Sequence, residues 1–210
     1  MALFQKRPDV GSHLPVYSLG LTKTLLIVGL GNVGKEYEGT RHNIGFAAID
    51  ELASKQEFDP WIEKRDLKCL LTSKTIGDSR VILVKPTTFM NLSGEAVQAV
   101  AHFYKIPLEQ IAVVHDELDI PFGQIRMRIG GGSAGNNGIK SVTQHLGEQY
   151  GRVRIGVQAP TKMEAADFVL AKFSKAEQVH LPAMLKETTA ILTEYIYGGN
   201  LLTDTRSFII

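Results

Sequence analysis

Apolar positions along the chain fall into runs whose period changes at glycines and prolines, and those changes predict the elements. Thr24-Leu25-Leu26-Ile27-Val28 is a short run of β-formers bounded by glycine and predicts a buried strand. Residues 29–43 are polar and glycine-marked, hence loop. Ile44, Ala47, Ala48 and Leu52 then recur at helical spacing, predicting an amphipathic helix from near Asn43. Leu67, Cys69 and Leu71 alternate with polar residues, and Val81–Val84 follows Gly77-Asp78, so these runs predict a hairpin. A second helix is expected over about 92–104, with Ala96, Val97, Val100 and Phe103 inward and Pro107 as its stop. Ile111–Val114 predicts another buried strand, ending in His115-Asp116-Glu117. Ile125, Met127 and Ile129 alternate with Arg126 and Arg128, a strand with one apolar face. A glycine-rich loop leads to a third helix through about Gln144. Residues 152–157 read as a last strand and the remainder as helical to about Tyr197. The alternation predicts an α/β fold, one twisted mixed β-sheet flanked by helices.

Residues 1–23 lack this regularity. They carry Lys6, Arg7 and His13 beside Asp9, Pro8 and Pro15, with no continuous apolar core, so they do not read as a secretory signal. The expectation is a poorly ordered extension over 1–23 and a single domain over 24–210. The length of 210 residues suffices for one sizeable core, with roughly 70% of the unfolded surface buried. A single cysteine, Cys69, excludes an intrachain disulfide framework and fits a reducing, cytoplasmic setting. No apolar run approaches the ~18 residues of a membrane span. The net charge of +1 decides nothing about nucleic acid.

Two short motifs tempt and fail. Gly29-Leu30-Gly31-Asn32-Val33-Gly34 satisfies the dinucleotide fingerprint after a strand. That motif needs its third glycine in a helix facing the pyrophosphate, and here further polar residues delay the helix, while Asp50 and Glu51 fall inside it. Gly131-Gly132-Ser133-Ala134-Gly135 satisfies the nucleophile-elbow pattern, with Asp167 and His180 downstream in the right order. Both partners, however, fall in predicted helices, and no second oxyanion loop precedes the serine.

What remains is a set of polar residues at strand ends and helix starts. These are Asn32, His42 with Asn43, Asn91, Asp116 and Asn137. In an open α/β sheet such positions converge on a cleft at the carboxyl ends of the strands. One imidazole, one carboxylate and several carboxamides suit a water-activating base, an orienting acid and neutral donors. Singly, each has a plainer reading: Asn91 or Asn43 as a helix cap, Asp116 as a turn residue. His115-Asp116-Glu117 with Asp119 has the look of a metal set, but no second histidine sits at ligand spacing.

Four ordered blocks carry a more specific signal. Gly29–Tyr37 running into Thr40-Arg41-His42-Asn43-Ile44-Gly45-Phe46 resembles the opening signature of bacterial-type peptidyl-tRNA hydrolases. Lys85–Gly94, His115–Asp119 and Gly130–Ser141 resemble that family's later blocks. Two departures stand out: Val33 where the family usually has proline, and Asn136 where it often has histidine. The resemblance implies hydrolysis of the ester joining a peptide to the 3′ end of tRNA, by a monomer needing no metal or organic cofactor. It implies His42 as general base, Asp116 as its orienting acid and Asn91 as oxyanion donor. Asn32 and Asn137 would grip the peptide main chain and terminal nucleotide, with Tyr37 and Met90 lining the cleft.

Charge distribution adds to this. Residues 121–160 carry Arg126, Arg128, Lys140, Arg152 and Arg154 against Glu148 alone. Arg126 and Arg128 share a strand face, as do Arg152 and Arg154. The resemblance implies Arg128 and Arg154 as tRNA phosphate contacts, whereas Arg126 and Arg152 also fit solvated gatekeeper charges. A non-catalytic RNA-binding relative would lack His42 or Asp116, and both are present. A serine esterase would depend on Ser133.

Overall fold

The computed structural model describes residues 23–158 and 164–207. The expected extension therefore lies outside the described residues, except Lys23, which opens the first strand. The strands are β1 (Lys23–Gly29), β2 (Ile62–Lys64), β3 (Cys69–Ile76), β4 (Ser79–Pro86), β5 (Ile111–Glu117), β6 (Gln124–Ile129), β7 (Gly151–Gly156) and β8 (Thr205–Ser207). The helices are α1 (Ile44–Lys55), α2 (Ser93–Tyr104), α3 (Asn137–Leu146), α4 (Ala165–Leu170) and α5 (Lys175–Gly198). The strands form one sheet in the order β2-β3-β4-β1-β5-β7-β6-β8. Its centre, β4-β1-β5-β7, is parallel. The pairs β2–β3, β3–β4, β6–β7 and β6–β8 are antiparallel, so the sheet is mixed as expected.

Alternation along the central strands sends side chains to two cores. Leu25 and Ile27 pack with α1 and α5 on one face, while Leu26 and Val28 pack with α2 and α3 on the other. Strands buried on both faces read as continuous apolar runs, which is why β1, β4 and β5 are so plain in the sequence. The chain leaves β1 to build β4 on one side, then crosses back to lay β5 on the other. Such a reversal opens a crevice at the carboxyl ends of β1 and β5.

Close backbone approach brings α1 onto that crevice. A Cβ on Gly45 would overlap the Val114 carbonyl and the Leu30 backbone, and one on Gly29 would overlap the Gly45 carbonyl. Only glycines allow the first turn of α1 to sit this close to β1 and β5.

Several expectations need correction. Phe103 is 64% exposed, because the buried stripe of α2 runs through Ala96, Val97, Val100 and Ala101. The strand at 151–156 is not the last, since β8 extends the sheet edge. The C-terminal region is two helices, separated at 171–174.

Candidate active site

His42 lies in a single 3₁₀ turn, Arg41–Asn43, that leads into α1. Asp116 is the penultimate residue of β5. Their side chains meet: His42 Nδ1 is 2.9 Å from both carboxylate oxygens of Asp116. Both residues are buried. A carboxylate only accepts, so Nδ1 carries the proton of the neutral ring and Nε2 keeps its lone pair. That is the tautomer a base needs.

Asn136 completes the surroundings of Asp116. Its Nδ2 donates to Asp116 Oδ1 (2.9 Å) and to the Asp116 carbonyl (3.3 Å). Its Oδ1 caps α3, accepting from the Gly138 and Ile139 amides.

A second pair of carboxamides builds the neighbouring wall. Asn43 precedes α1 but makes no side-chain cap bond. Its Oδ1 instead accepts from the Asn32 amide (2.8 Å), and its Nδ2 donates to the Asn32 carbonyl (2.9 Å). Asn32 Oδ1 accepts from the Met90 amide (2.8 Å), which fixes the carboxamide and leaves its Nδ2 as the donor to be offered. Asn91 is not a cap either, since Leu92 holds that position before α2. It stands exposed on the cleft wall.

The cleft has a volume of about 820 Å³, and Asn32, His42, Met90, Asn91, Asp116 and Asn137 all line it. The structure thus gathers every catalytic candidate and three of the four binding candidates. Tyr37 is the correction: it is not among the lining residues but meets Phe89 of the rim edge-on, ring centres 6.5 Å apart. Its bulk supports the rim rather than forming the wall.

The roof is α4, whose residues Ala165, Ala166, Val169 and Leu170 face the cleft. Neither α4 nor its anchor was singled out from sequence. The anchor is Arg41, whose Nη1 reaches the Lys172 carbonyl (3.0 Å) and whose Nη2 reaches Glu177 Oε2 (2.7 Å). Glu177 also belongs to a capping box with Ser174 at the start of α5. That Ser-x-x-Glu pattern was legible in the chain.

Behind Asp116 lies a buried polar cluster. His115 is fully buried; its Nδ1 donates to the Asp116 carbonyl (2.7 Å) and its Nε2 accepts from Arg152 Nη2 (3.1 Å). Burial, and then the neighbouring Arg152 charge, hold His115 well below the usual imidazole range, so it stays neutral. Both nitrogens are committed, which removes it as a metal ligand. Among the described residues no group of three or more His, Cys, Asp and Glu side chains is placed to hold a metal ion.

Arg152 is not a solvated gatekeeper. It is 0% exposed and binds the Gly131 (3.0 Å) and Gly132 (2.7 Å) carbonyls, so it ties the glycine loop to the sheet. The antiparallel register pairs Arg126 with Arg154 and Arg128 with Arg152, putting all four arginines on one face. Glu117, missed because it lies outside the basic stretch, takes Arg154 Nε at 3.0 Å. Arg126, Arg128 and Arg154 line a shallow pocket of about 640 Å³ with Thr203 and Thr205.

The rejected motifs fail here too. Gly34 precedes a 3₁₀ turn, not a helix, and α1 starts only at Ile44. Asp167 and His180 lie in α4 and α5, and neither they nor Ser133 line the cleft.

Comparison with known proteins shows the family. The family model described as peptidyl-tRNA hydrolase matches residues 26–207. A peptidyl-tRNA hydrolase of Rhodopseudomonas palustris (strain BisA53) is 48% identical over 165 residues, 78% of this chain and 81% of that protein. One from Listeria monocytogenes serotype 4a (strain HCC23) is 43% identical over 171 residues, 81% of this chain and 91% of that one. The crystal structure of the Acinetobacter baumannii peptidyl-tRNA hydrolase superposes with a TM-score of 0.79 at 35% identity, covering 84% of this chain and 90% of that one.

Proposed function

Because the chain belongs to the peptidyl-tRNA hydrolase family, we propose that it cleaves its substrate with His42 as general base, oriented by Asp116. The protein is an enzyme that hydrolyses peptidyl-tRNA. Water, held at His42 Nε2, gives that nitrogen a proton as it attacks the ester carbonyl carbon. Asp116 stabilises the imidazolium. The same proton then passes to the departing ribose oxygen, leaving an intact tRNA 3′ end and a free peptide carboxylic acid, which ionises by losing its remaining water-derived proton to solvent. A positioned base of this kind contributes about 10²–10⁴ in rate.

Asn91 is the proposed donor to the oxyanion, an interaction worth about 2.7–4 kcal/mol in hydrolases. Asn32 Nδ2 and Asn137 hold the peptide main chain and terminal nucleotide; carboxamides read amides, whatever the peptide sequence. Met90 floors the cleft. Arg128 and Arg154 take tRNA phosphate, supported by their shared face and by the pocket they line. In this proposal the enzyme works as a cytoplasmic monomer. Among the described residues no helix is long and apolar enough to cross a membrane.

The observation that carries the residue assignment is the two-oxygen contact of Asp116 on His42 Nδ1 inside the cleft. Wild type and His42→Ala are assayed on peptidyl-tRNA and on aminoacyl-tRNA with a free amine. The expected result is cleavage of peptidyl-tRNA alone, and in the variant a loss of turnover with tRNA binding kept. Undiminished cleavage by His42→Ala refutes the assignment.

A further inference from the structure

We infer that Asn136 is a positioning residue for the reaction, bracing the Asp116 carboxylate through Nδ2 while the start of α3 fixes the direction of that donation through Oδ1. The inference rests on the reading of His42 and Asp116 as the catalytic pair. Three observations support it.

First, Asp116 Oδ1 accepts from both His42 Nδ1 and Asn136 Nδ2 at 2.9 Å, so the carboxylate is held from two sides. Without the second donor it can turn about its own axis and lose the symmetric seat of the imidazole. Second, the carboxamide has one possible orientation. Its oxygen accepts from the Gly138 amide at 3.0 Å and the Ile139 amide at 3.1 Å, so the NH₂ group must face Asp116. Accepting two helix amides also polarises the group and strengthens its donation. Third, Asn136 is buried beside the glycine loop whose other end is tied by Arg152, so the brace starts from a fixed point.

A carboxamide neither gains nor loses a proton, so the brace acts alike at every pH at which the fold holds. The other ionisable groups around the pair are accounted for. His115 is neutral in the core, Glu117 faces Arg152 and Arg154, Arg41 is paired with Glu177, and Glu164 stands at the cleft rim.

The capping and bracing roles can be separated, because serine and aspartate cap helices as well as asparagine does but offer no NH₂. Asn136→Ser and Asn136→Asp are compared with wild type, with Asn136→Ala as the variant lacking both roles and His42→Ala as the catalytic control. Steady-state rates on peptidyl-tRNA are taken across pH, with thermal melts of each protein. For Asn136→Ser the expectation is a kcat lower by about 10–100-fold, by analogy with the loss when partners that orient metal-bound histidines are removed, with KM and Tm near wild type. For Asn136→Asp a second carboxylate beside the first favours the imidazolium, so the acid limb of the kcat/KM profile moves up by about one pH unit. Wild-type kcat in Asn136→Ser with an unmoved profile in Asn136→Asp overturns the inference and leaves the role of His42 standing. Rate losses that only follow losses in Tm, again with an unmoved profile, reduce Asn136 to a cap and also overturn it. Full activity in His42→Ala instead removes the reading beneath it.

Discussion

The Arg41 guanidinium lies 4.1 Å from the Phe168 ring centre, so the residue beside His42, the proposed base, is stacked on the helix that roofs the cleft. It also stands 5.3 Å from the Phe173 ring and pairs with Glu177. Arg41→Lys keeps the charge but loses the planar fork and the stacking surface. The expected result is a loss of about 2 kcal/mol, from the stacking and the fork's hydrogen bonds, and a Tm lower by roughly 5 °C. Amide exchange should accelerate first over residues 165–173. A melt unchanged from wild type, with exchange unaltered there, would falsify the latch.

A second prediction concerns acid. His115 is held well below the usual imidazole range, chiefly by burial. The unfolded chain binds its proton below about pH 6.5, whereas the folded protein does not. Stability contributed by the neutral ring is therefore complete above that value and is lost as pH falls toward the folded-state value. The slope is on the order of 1 kcal/mol per pH unit. Denaturant titrations of wild type and His115→Gln between pH 7 and pH 5 check this. The variant starts less stable but should lose less on acidification; equal slopes refute the assignment.

The arginine face gives a third prediction. Arg128→Ala should raise KM, leave kcat nearly untouched, and shrink the salt slope of tRNA binding by roughly 0.7–0.9. Arg154→Ala should do the same and also cost stability, because the buried Glu117 carboxylate then keeps only the long Arg152 ion pair at 3.8 Å and the Asp119 amide at 3.5 Å. Binding measured from low to moderate salt separates the two effects. Unchanged slopes in both variants place the phosphates elsewhere.

Much of this was legible in the chain because the central elements obey simple periods. The strands β1, β4 and β5 are buried on both faces and cannot be mistaken for loops, and the residues just past them are where a sheet of this kind keeps its chemistry. The edges were not legible. Each of β2 and β8 has three residues, mostly polar, and exists only because a longer strand lies beside it. Arg152 was misjudged for a related reason. An Arg-x-Arg alternation looks solvated until the glycine loop folds over it and supplies two carbonyls. Asn43 looked like a cap, yet its side chain turns back to Asn32, a partner eleven residues away that only the fold brings near.

The proposed dyad draws its imidazole from residue 42 and its carboxylate from residue 116, with the inferred brace at 136 and the roof anchored near 177. While this chain is being made, it is itself a peptide esterified to tRNA. His42 leaves the ribosome long before Asp116, and α4 later still. On the proposed assignment an unfinished copy lacks the assembled pair with which to sever its own tether until residues 116 and 136 and the roof helix have emerged.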